Sequence, residues 1–272
     1  MSAVEAIGLI FAGIGGGLTG SVAGLASLVT YPSLLAIGLP PVTANVTNTV
    51  ALLFSSVGSV SASRPELVGQ RRHVQRLAVA GVTGGALGGA LVLLTPGDSF
   101  EKAVPWLIGL ASLAILIRRR LVDVPPEERP VVRTTPATGR SVPDHRHHRH
   151  AHADTSTGVL AAIGVVGIYA GYFGAGAGVM MLSLLLYVTG DSLPRANAVK
   201  NVVLGLSNGI AALTFAVFGP VRWLVVVPLG FGLFIGGRLG PVVVRRTPHA
   251  PLRIGIAVAG VGLAIKLALD AY

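Results

Sequence analysis

Charge is what this sequence has least of. Asp, Glu, Lys and Arg make up 12% of its 272 residues, about half of the roughly 25% found in soluble globular domains. Hydrophobic residues make up 52% and the mean hydropathy is +0.73. A chain so poor in charge cannot cover a water-facing surface, which excludes the one or two soluble domains its length would allow. Cysteine is absent, which removes disulfides, thiolate chemistry and Cys-based metal sites. The opening residues carry Glu5 and no Lys or Arg, and the apolar run behind them is too long for a signal peptide, so no cleaved leader is expected. Acid is missing from the interior of every apolar run. Carriers of cations and protons commonly keep a carboxylate in the membrane, so its absence argues for an anionic cargo. No Ser–His–Asp or paired-carboxylate arrangement lies at plausible depth, so an enzyme is not expected, nor a cofactor.

What is present is apolar sequence punctuated by charge. Ala6 to Ser63 is free of Asp, Glu, Lys and Arg over 58 residues, roughly 87 Å if helical and close to three bilayer cores of about 30 Å. Breaks are expected inside it at Gly15-Gly16-Gly17, at Tyr31-Pro32 and at Gly38-Leu39-Pro40-Pro41. Further uncharged runs cover Leu77–Gly97, Ala103–Ile117, Thr155–Gly190, Asn201–Val221, Trp223–Gly237 and about Ile254–Leu269. Between Val122 and Ser156 the chain turns to Pro, Arg, acid and His, the composition of a solvated connection. The reading is an all-α polytopic membrane protein of eight hydrophobic segments, some broken or re-entrant. Residues 1–121 form a first membrane repeat, 122–156 a linker and 157–272 a second repeat. Net charge is +10 with His neutral. The Arg residues sit in short connections, where positive charge marks the cytoplasmic side, so the partner is a lipid bilayer and not nucleic acid. A plasma-membrane location is expected, with the linker cytoplasmic and a homo-oligomer allowed.

The two halves overlay at a shift of 151 or 152 positions. Gly20 falls on Gly171, Ala44-Asn45 on Ala196-Asn197 and Arg71 on Arg222; Gly81, Gly85 and Gly89 fall on Gly232, Gly236 and Gly240; Thr95-Pro96 falls on Thr247-Pro248. Glycine at i, i+4 and i+8 lies on one helix face, a pattern of close helix packing rather than chemistry. Arg64 to Arg76 is strongly basic while its counterpart holds Arg222. The net-negative stretch Asp98 to Lys102 has a counterpart rich in Arg. This flip favours inverted repeats, whereas eight simple spans would make them parallel.

Duplicated transporters place their sites where interrupted helices of the two repeats meet, near the midplane. The second half is interrupted at Gly171-Tyr172-Phe173-Gly174-Ala175-Gly176-Ala177-Gly178, and a half-helix N-terminus there favours an anion. Gly15 to Gly20 matches G-x-G-x-x-G, but it follows no strand and no acid lies about 20 residues on, so it is not a dinucleotide site. Polar patches follow the interruptions: Asn45, Thr47, Asn48 and Thr49, then Asn197, Lys200 and Asn201. Amides and hydroxyls donate to oxyanions and Lys200 adds charge; the plainer reading is helix caps and interfacial residues. The expected substrate contacts are Asn45, Thr47, Asn48, Gly174, Gly176, Gly178, Asn197, Lys200 and Asn201, around a small anionic substrate. The metal-like cluster His145, His147, His148, His150 and His152 could chelate Zn²⁺, against the repulsion of Arg146 and Arg149. It sets up the competing class, a divalent-metal transporter or sensor.

Gly20-Ser21-Val22-Ala23-Gly24-Leu25, with Pro32-Ser33-Leu34-Leu35 and Ala44-Asn45 behind it, resembles the first signature of the TauE/SafE sulfite-exporter family. Gly171 to Gly178 with Arg195-Ala196-Asn197-Ala198-Val199-Lys200-Asn201 resembles the second. The resemblance covers both halves without the linker. It implies a multi-pass plasma-membrane carrier moving sulfite or related sulfur-containing or organic anions; with the duplication, the expected mode is export by alternating access between the repeats. The family's first glycine triplet is here Leu25-Ala26-Ser27, which implies closer backbone approach to a ligand in the second half.

Overall fold

The computed structural model describes residues 1–122 and 156–246, all of whose regular elements are helical. They are α1 (Ala3–Ala23), α2 (Ala26–Ala36), α3 (Pro41–Ala62), the single turn α4 (Arg64–Leu67), α5 (Arg71–Leu94), α6 (Gly97–Val122), α7 (Thr157–Tyr172), α8 (Ala177–Thr189), α9 (Leu193–Phe218) and α10 (Trp223–Arg246). Helices α1, α5, α9 and α10 are long and apolar enough to cross a bilayer, and α2, α7 and α8 are shorter apolar helices. Large apolar side chains such as Phe11, Leu94, Leu213 and Phe231 lie exposed along the long helices, which suits a hydrocarbon solvent and not water. This is an all-α polytopic membrane protein.

Glycine contacts set the direction of each helix. Gly13 abuts the backbone at Leu229 to Leu233 and Gly17 that at Leu233 to Gly237, so α1 and α10 are parallel. Gly84 meets Gly164 and Ile168, and Gly88 meets Ile168 and Tyr172, so α5 and α7 are parallel. Gly81, Gly85 and Gly89 advance along Val203, Ser207 and Ala211 of α9. Gly230 and Gly58 register α10 with α3 in the same sense, through Phe54 and Phe234. Between α3 and α9 the order reverses: Gly205 meets Ser56 and Gly209 meets Leu53. Helices α1, α3 and α10 therefore run one way, and α5, α7 and α9 the other. Each of the equivalent pairs α1/α7, α3/α9 and α5/α10 is antiparallel, so the repeats are inverted. They are also interlocked, since α1 packs on α10 of the second half and α7 on α5 of the first. The glycine ladders are packing surfaces, as their spacing suggests, and backbones approach closely through them.

Inversion requires an odd number of passes in each half, and the long uncharged runs hold the additional segments it needs. The uncharged run 6–63 is three helices. With α1 and α3 parallel, the chain returns between them through the 11-residue α2, which at roughly 16 Å is shorter than a bilayer core of about 30 Å. The run 155–190 is likewise two helices, α7 and α8. The expected break at Gly15-Gly16-Gly17 is absent. These residues stay helical because Gly13 and Gly17 let α10 pack against them. Helix α2 also continues through Pro32. The expected break at Gly38-Leu39-Pro40-Pro41 separates α2 from α3, and that expected within Gly171–Gly178 falls at Phe173 to Gly176; a further one falls at Gly24-Leu25, with Gly24, Gly174 and Gly176 at φ of 77°, 75° and 75°. Helices α6 and α9 outrun their uncharged cores, taking in Glu101 and Arg195, because terminal charges reach the interface without ending the helix; α10 runs on through Arg238, which donates to Ser61 Oγ of α3 at 3.4 Å. Residues 123–155 and 247–272, with the His cluster and the last expected span, lie outside the described residues.

The inversion collects basic residues at one end of the bundle. Arg64, Arg71, Arg72 and Arg76 follow α3, Arg195 opens α9, and α10 ends on Arg245-Arg246 at this same end. The opposite end carries Glu5, Asp98, Glu101, Lys102 and Arg222. The apparent flip of charge in the sequence is thus one basic face read through two inverted copies.

Candidate functional site

A break that ends a helix inside the protein leaves carbonyls without intrahelical partners. Here each break is met by a side chain from the third helix of the other half, and at the first break Gly20 O also keeps the Gly24 N–H at 2.8 Å. Lys200 on α9 donates through Nζ to Gly20 O and Ser21 O, both at 3.1 Å, at the C-terminal end of α1. Asn45 on α3 donates through Nδ2 to Tyr172 O at 2.9 Å, at the end of α7. Tyr172 is the repeat counterpart of Ser21, so the two bonds are pseudo-symmetric in place and unlike in chemistry. One is made by a cation at the negative pole of a helix, the other by a neutral amide. Lys200 is only 1% exposed.

The two breaks touch each other at Gly24 and Gly178, whose Cα atoms leave no room for a side chain. Beside that contact lies a cavity of about 60 Å³, space for a few waters or a small anion. Lys200, Asn201, Gly174 and Gly178 line it, with Ser21 and Ser27 across from them. Ala26 and Ser27 open α2, Ala177 and Gly178 open α8, and neither helix has a side-chain cap. Two half-helix N-termini therefore join the wall, each carrying the partial positive charge of its dipole. Three of the residues around it each hold a fully buried polar atom with no hydrogen-bond partner among the described residues: Ser21 Oγ, Asn201 Nδ2 and Asn208 Oδ1.

The remaining sequence candidates stand apart from the cavity. Asn48 donates through Nδ2 to Ser27 Oγ at 3.1 Å and its Oδ1 accepts from the Thr30 hydroxyl at 2.5 Å, so it positions α2 and, through Ser27, the cavity wall. Thr47 Oγ1 accepts from the Arg222 N–H at 3.1 Å and ties α3 to the turn before α10. Asn197 is buried with Oδ1 unpartnered among the described residues, and Gly176 is the left-handed residue before α8; neither lines the cavity. Sequence reasoning missed Ser21, Ser27, Ser55, Ser59 and Asn208, all of which do. A signal existed for one pair, since Ser55 and Ser59 sit at i, i+4 on one face of an apolar helix. Among the described residues no group of three or more His, Asp or Glu is placed to hold a metal. Asn48→Leu should lower stability by about 1–3 kcal/mol by stranding the Ser27 hydroxyl, read as an earlier unfolding midpoint in detergent, and should raise the half-saturation for transport because Ser27 and the start of α2 line the cavity.

The cavity lies between the C-terminal half of α3 and the N-terminal half of α9, hence toward the basic end. The other end is filled by aromatic rings. Tyr31 and Phe173 meet edge to face at 5.2 Å, and Phe100 packs at 5.7 Å from Tyr172 and 6.1 Å from Phe173. Tyr31, Phe100 and Phe173 are all buried.

Inverted, interlocked repeats with broken helices meeting at a polar cavity define a multi-pass membrane transporter. A family model, Sulfite exporter TauE/SafE, matches residues 9–267. The chain belongs to this family. It is 25% identical over 259 residues to a probable membrane transporter protein, ORF9, of Sinorhizobium sp, covering 93% of this chain and 88% of that one. It is 27% identical to the probable membrane transporter protein YfcA of Escherichia coli, over 97% and 90% of the two chains. It is 22% identical to the probable membrane transporter protein YunE of Bacillus subtilis, over 88% of each. No solved structure matches the chain.

Proposed function

We propose that this protein is a plasma-membrane secondary transporter that exports sulfite or a related sulfur-containing or organic anion, by alternating access between residues 1–121 and 157–272. The observation that carries the reading is Lys200, a buried cation beside a cavity at the junction of both helix breaks, with no Asp or Glu among the described residues of the cavity wall. Lys200, Asn201 and the N–H groups at the starts of α2 and α8 bind the oxyanion, and Asn48 positions Ser27. Asn45 and Thr47 hold the helices around the site. The basic end faces the cytoplasm by the positive-inside rule, together with the linker 122–156. The conformation is then inward-facing, with the rings of Tyr31, Phe100 and Phe173 as the closed outer gate. Inversion supplies the second state, because exchanging the conformations of two inverted halves turns an inward cavity outward.

The test is uptake of radiolabelled sulfite into proteoliposomes. Saturable flux supports the reading, and flux no greater than in protein-free vesicles defeats it. Orientation is checked separately. The chain has no cysteine, so Ser59→Cys provides a unique thiol in the cavity wall. A membrane-impermeant thiol reagent should label it from the cytoplasmic face at least tenfold faster than from outside, and sulfite should slow that labelling. Faster labelling from outside would reverse the assignment of sides.

A further inference from the structure

The two helix breaks are held at different heights. Position 200 on α9 meets the carbonyls of Gly20 and Ser21, whereas position 45 on α3 meets that of Tyr172. At the 152-residue offset, 45 corresponds to 197 and 200 to 48. Equivalent carbonyls are therefore met from positions three residues apart, close to one turn and about 4.5 Å along the helix. The equivalents themselves are engaged elsewhere or not at all. Asn48 is bonded to Ser27 and Thr30. Asn197 is 2% exposed, and its Oδ1 has no partner among the described residues. Only an amide nitrogen can meet a carbonyl oxygen, so the direction of the Asn45 bond is fixed by its partner. When inverted halves exchange conformations, whatever differs between the copies in one state is what moves.

We infer that Asn197 is the positioning residue of the outward-facing state, taking over the Ser21 carbonyl that Lys200 holds here. This rests on the alternating-access reading above. Each carbonyl passes between two donors one turn apart: Ser21 O from Lys200 to Asn197, and Tyr172 O from Asn45 to Asn48. No break is left with a stranded carbonyl in either state, which in a buried setting would be costly. The ammonium of Lys200 parts from the end of α1 as the cavity turns outward.

Two single thiols in the cysteine-free chain report the two states. Ser59 lines the cavity, and its repeat counterpart Ala211 is fully buried here but joins the wall once the halves exchange. A membrane-impermeant thiol reagent is applied to Ser59→Cys at the basic end and to Ala211→Cys at the opposite end. The readout is the rate at Ala211→Cys divided by that at Ser59→Cys. Asn197→Leu strands Ser21 O in the outward state alone and should lower this ratio at least about fivefold. Asn45→Leu strands Tyr172 O in the present state alone and should raise it by a similar factor. A merely structural role would loosen the bundle and move the ratio the same way in both. Should a leucine variant not assemble, Asn197→Ala and Asn45→Ala delete the same amides. Should Ala211→Cys not assemble, Ser59→Cys decides alone, its labelling slowed by the change at Asn45 and not by that at Asn197. Opposite shifts support the exchange of donors, even if sulfite flux is no greater than in protein-free vesicles, which would defeat the sulfite reading alone. Saturable sulfite flux with the ratio unmoved, or moved the same way by both variants, would overturn this inference alone. Absence of both flux and shifts would overturn the two together.

Discussion

Replacing Lys200 by Gln should abolish anion transport, with flux at low substrate down on the order of 100-fold, while the protein still inserts and purifies as a folded species. The expectation separates the two tasks of this side chain. Its bonds to Gly20 O and Ser21 O are hydrogen bonds to neutral carbonyls, and an amide can supply N–H groups in place of the ammonium. The positive charge at the cavity is what an amide cannot supply. Removing one member of a buried charged hydrogen-bonded pair costs about 2–5 kcal/mol of binding, and each 1.4 kcal/mol is about tenfold. Lys200→Ala is the less informative variant, because it also strands the Ser21 carbonyl at the end of α1, Gly20 O keeping its bond from the Gly24 N–H, and costs stability for that reason. Lys200→Arg keeps the charge on a longer, planar head and should retain measurable flux. Radiolabelled sulfite uptake by Lys200→Gln at wild-type rates would show that the cavity beside Lys200 is not the transport site.

Much of this was legible in one dimension because membrane constraints are one-dimensional. Bilayer thickness sets span length, and the 151-residue offset with its glycine ladders exposes the duplication. What escaped was the break between α1 and α2, while those at Gly38–Pro41 and within Gly171–Gly178 were visible. Between α1 and α2 there is no charge and no proline, only Gly24 in the left-handed region. The visible triplet Gly15-Gly16-Gly17 looked the better break, yet those glycines serve helix contact. Whether a glycine bends a chain or admits a neighbour depends on α10, more than 200 residues away. Lys200, Asn201, Gly174 and Gly178 were found at the cavity because charge and amides in an apolar run stand out. Ser21, Ser27 and Asn208 did not stand out, since a serine or a single amide in a membrane helix usually bonds its own backbone. Their unpartnered or cavity-facing atoms appear only once α1, α2 and α9 converge. Asn45 and Thr47 were read as ligands for the same reason that Lys200 was, and their bonds to Tyr172 O and Arg222 N show what a buried polar group does when the backbone beside it is broken.

The crossing of the two breaks carries the other large expected effect. A Cβ on Gly24 would overlap Gly178, and a Cβ on Gly178 would overlap Gly24. At Gly24 the φ of 77° adds strain for any L side chain. Gly178→Val must therefore push the start of α8 off the end of α1, and neither can retreat. Helix α1 is locked along α10 through Gly13 and Gly17, while α8 follows α7, which α5 holds through Gly84 and Gly88. The cost of overpacking two backbones is about 3 kcal/mol or more, and the displaced wall is that of the cavity. Loss of folded protein, or a fall of its unfolding midpoint with flux gone, is expected for Gly178→Val and for Gly24→Val. Gly8→Ala provides the matched control, since a Cβ there meets nothing within 4 Å and alanine is the better helix former by about 1 kcal/mol. That variant should be as stable as the wild type or more so, with full flux. Equal tolerance at all three positions, measured by thermal unfolding in detergent, would mean that α1 and α8 do not cross here, and with the crossing would go the junction on which the two half-sites depend.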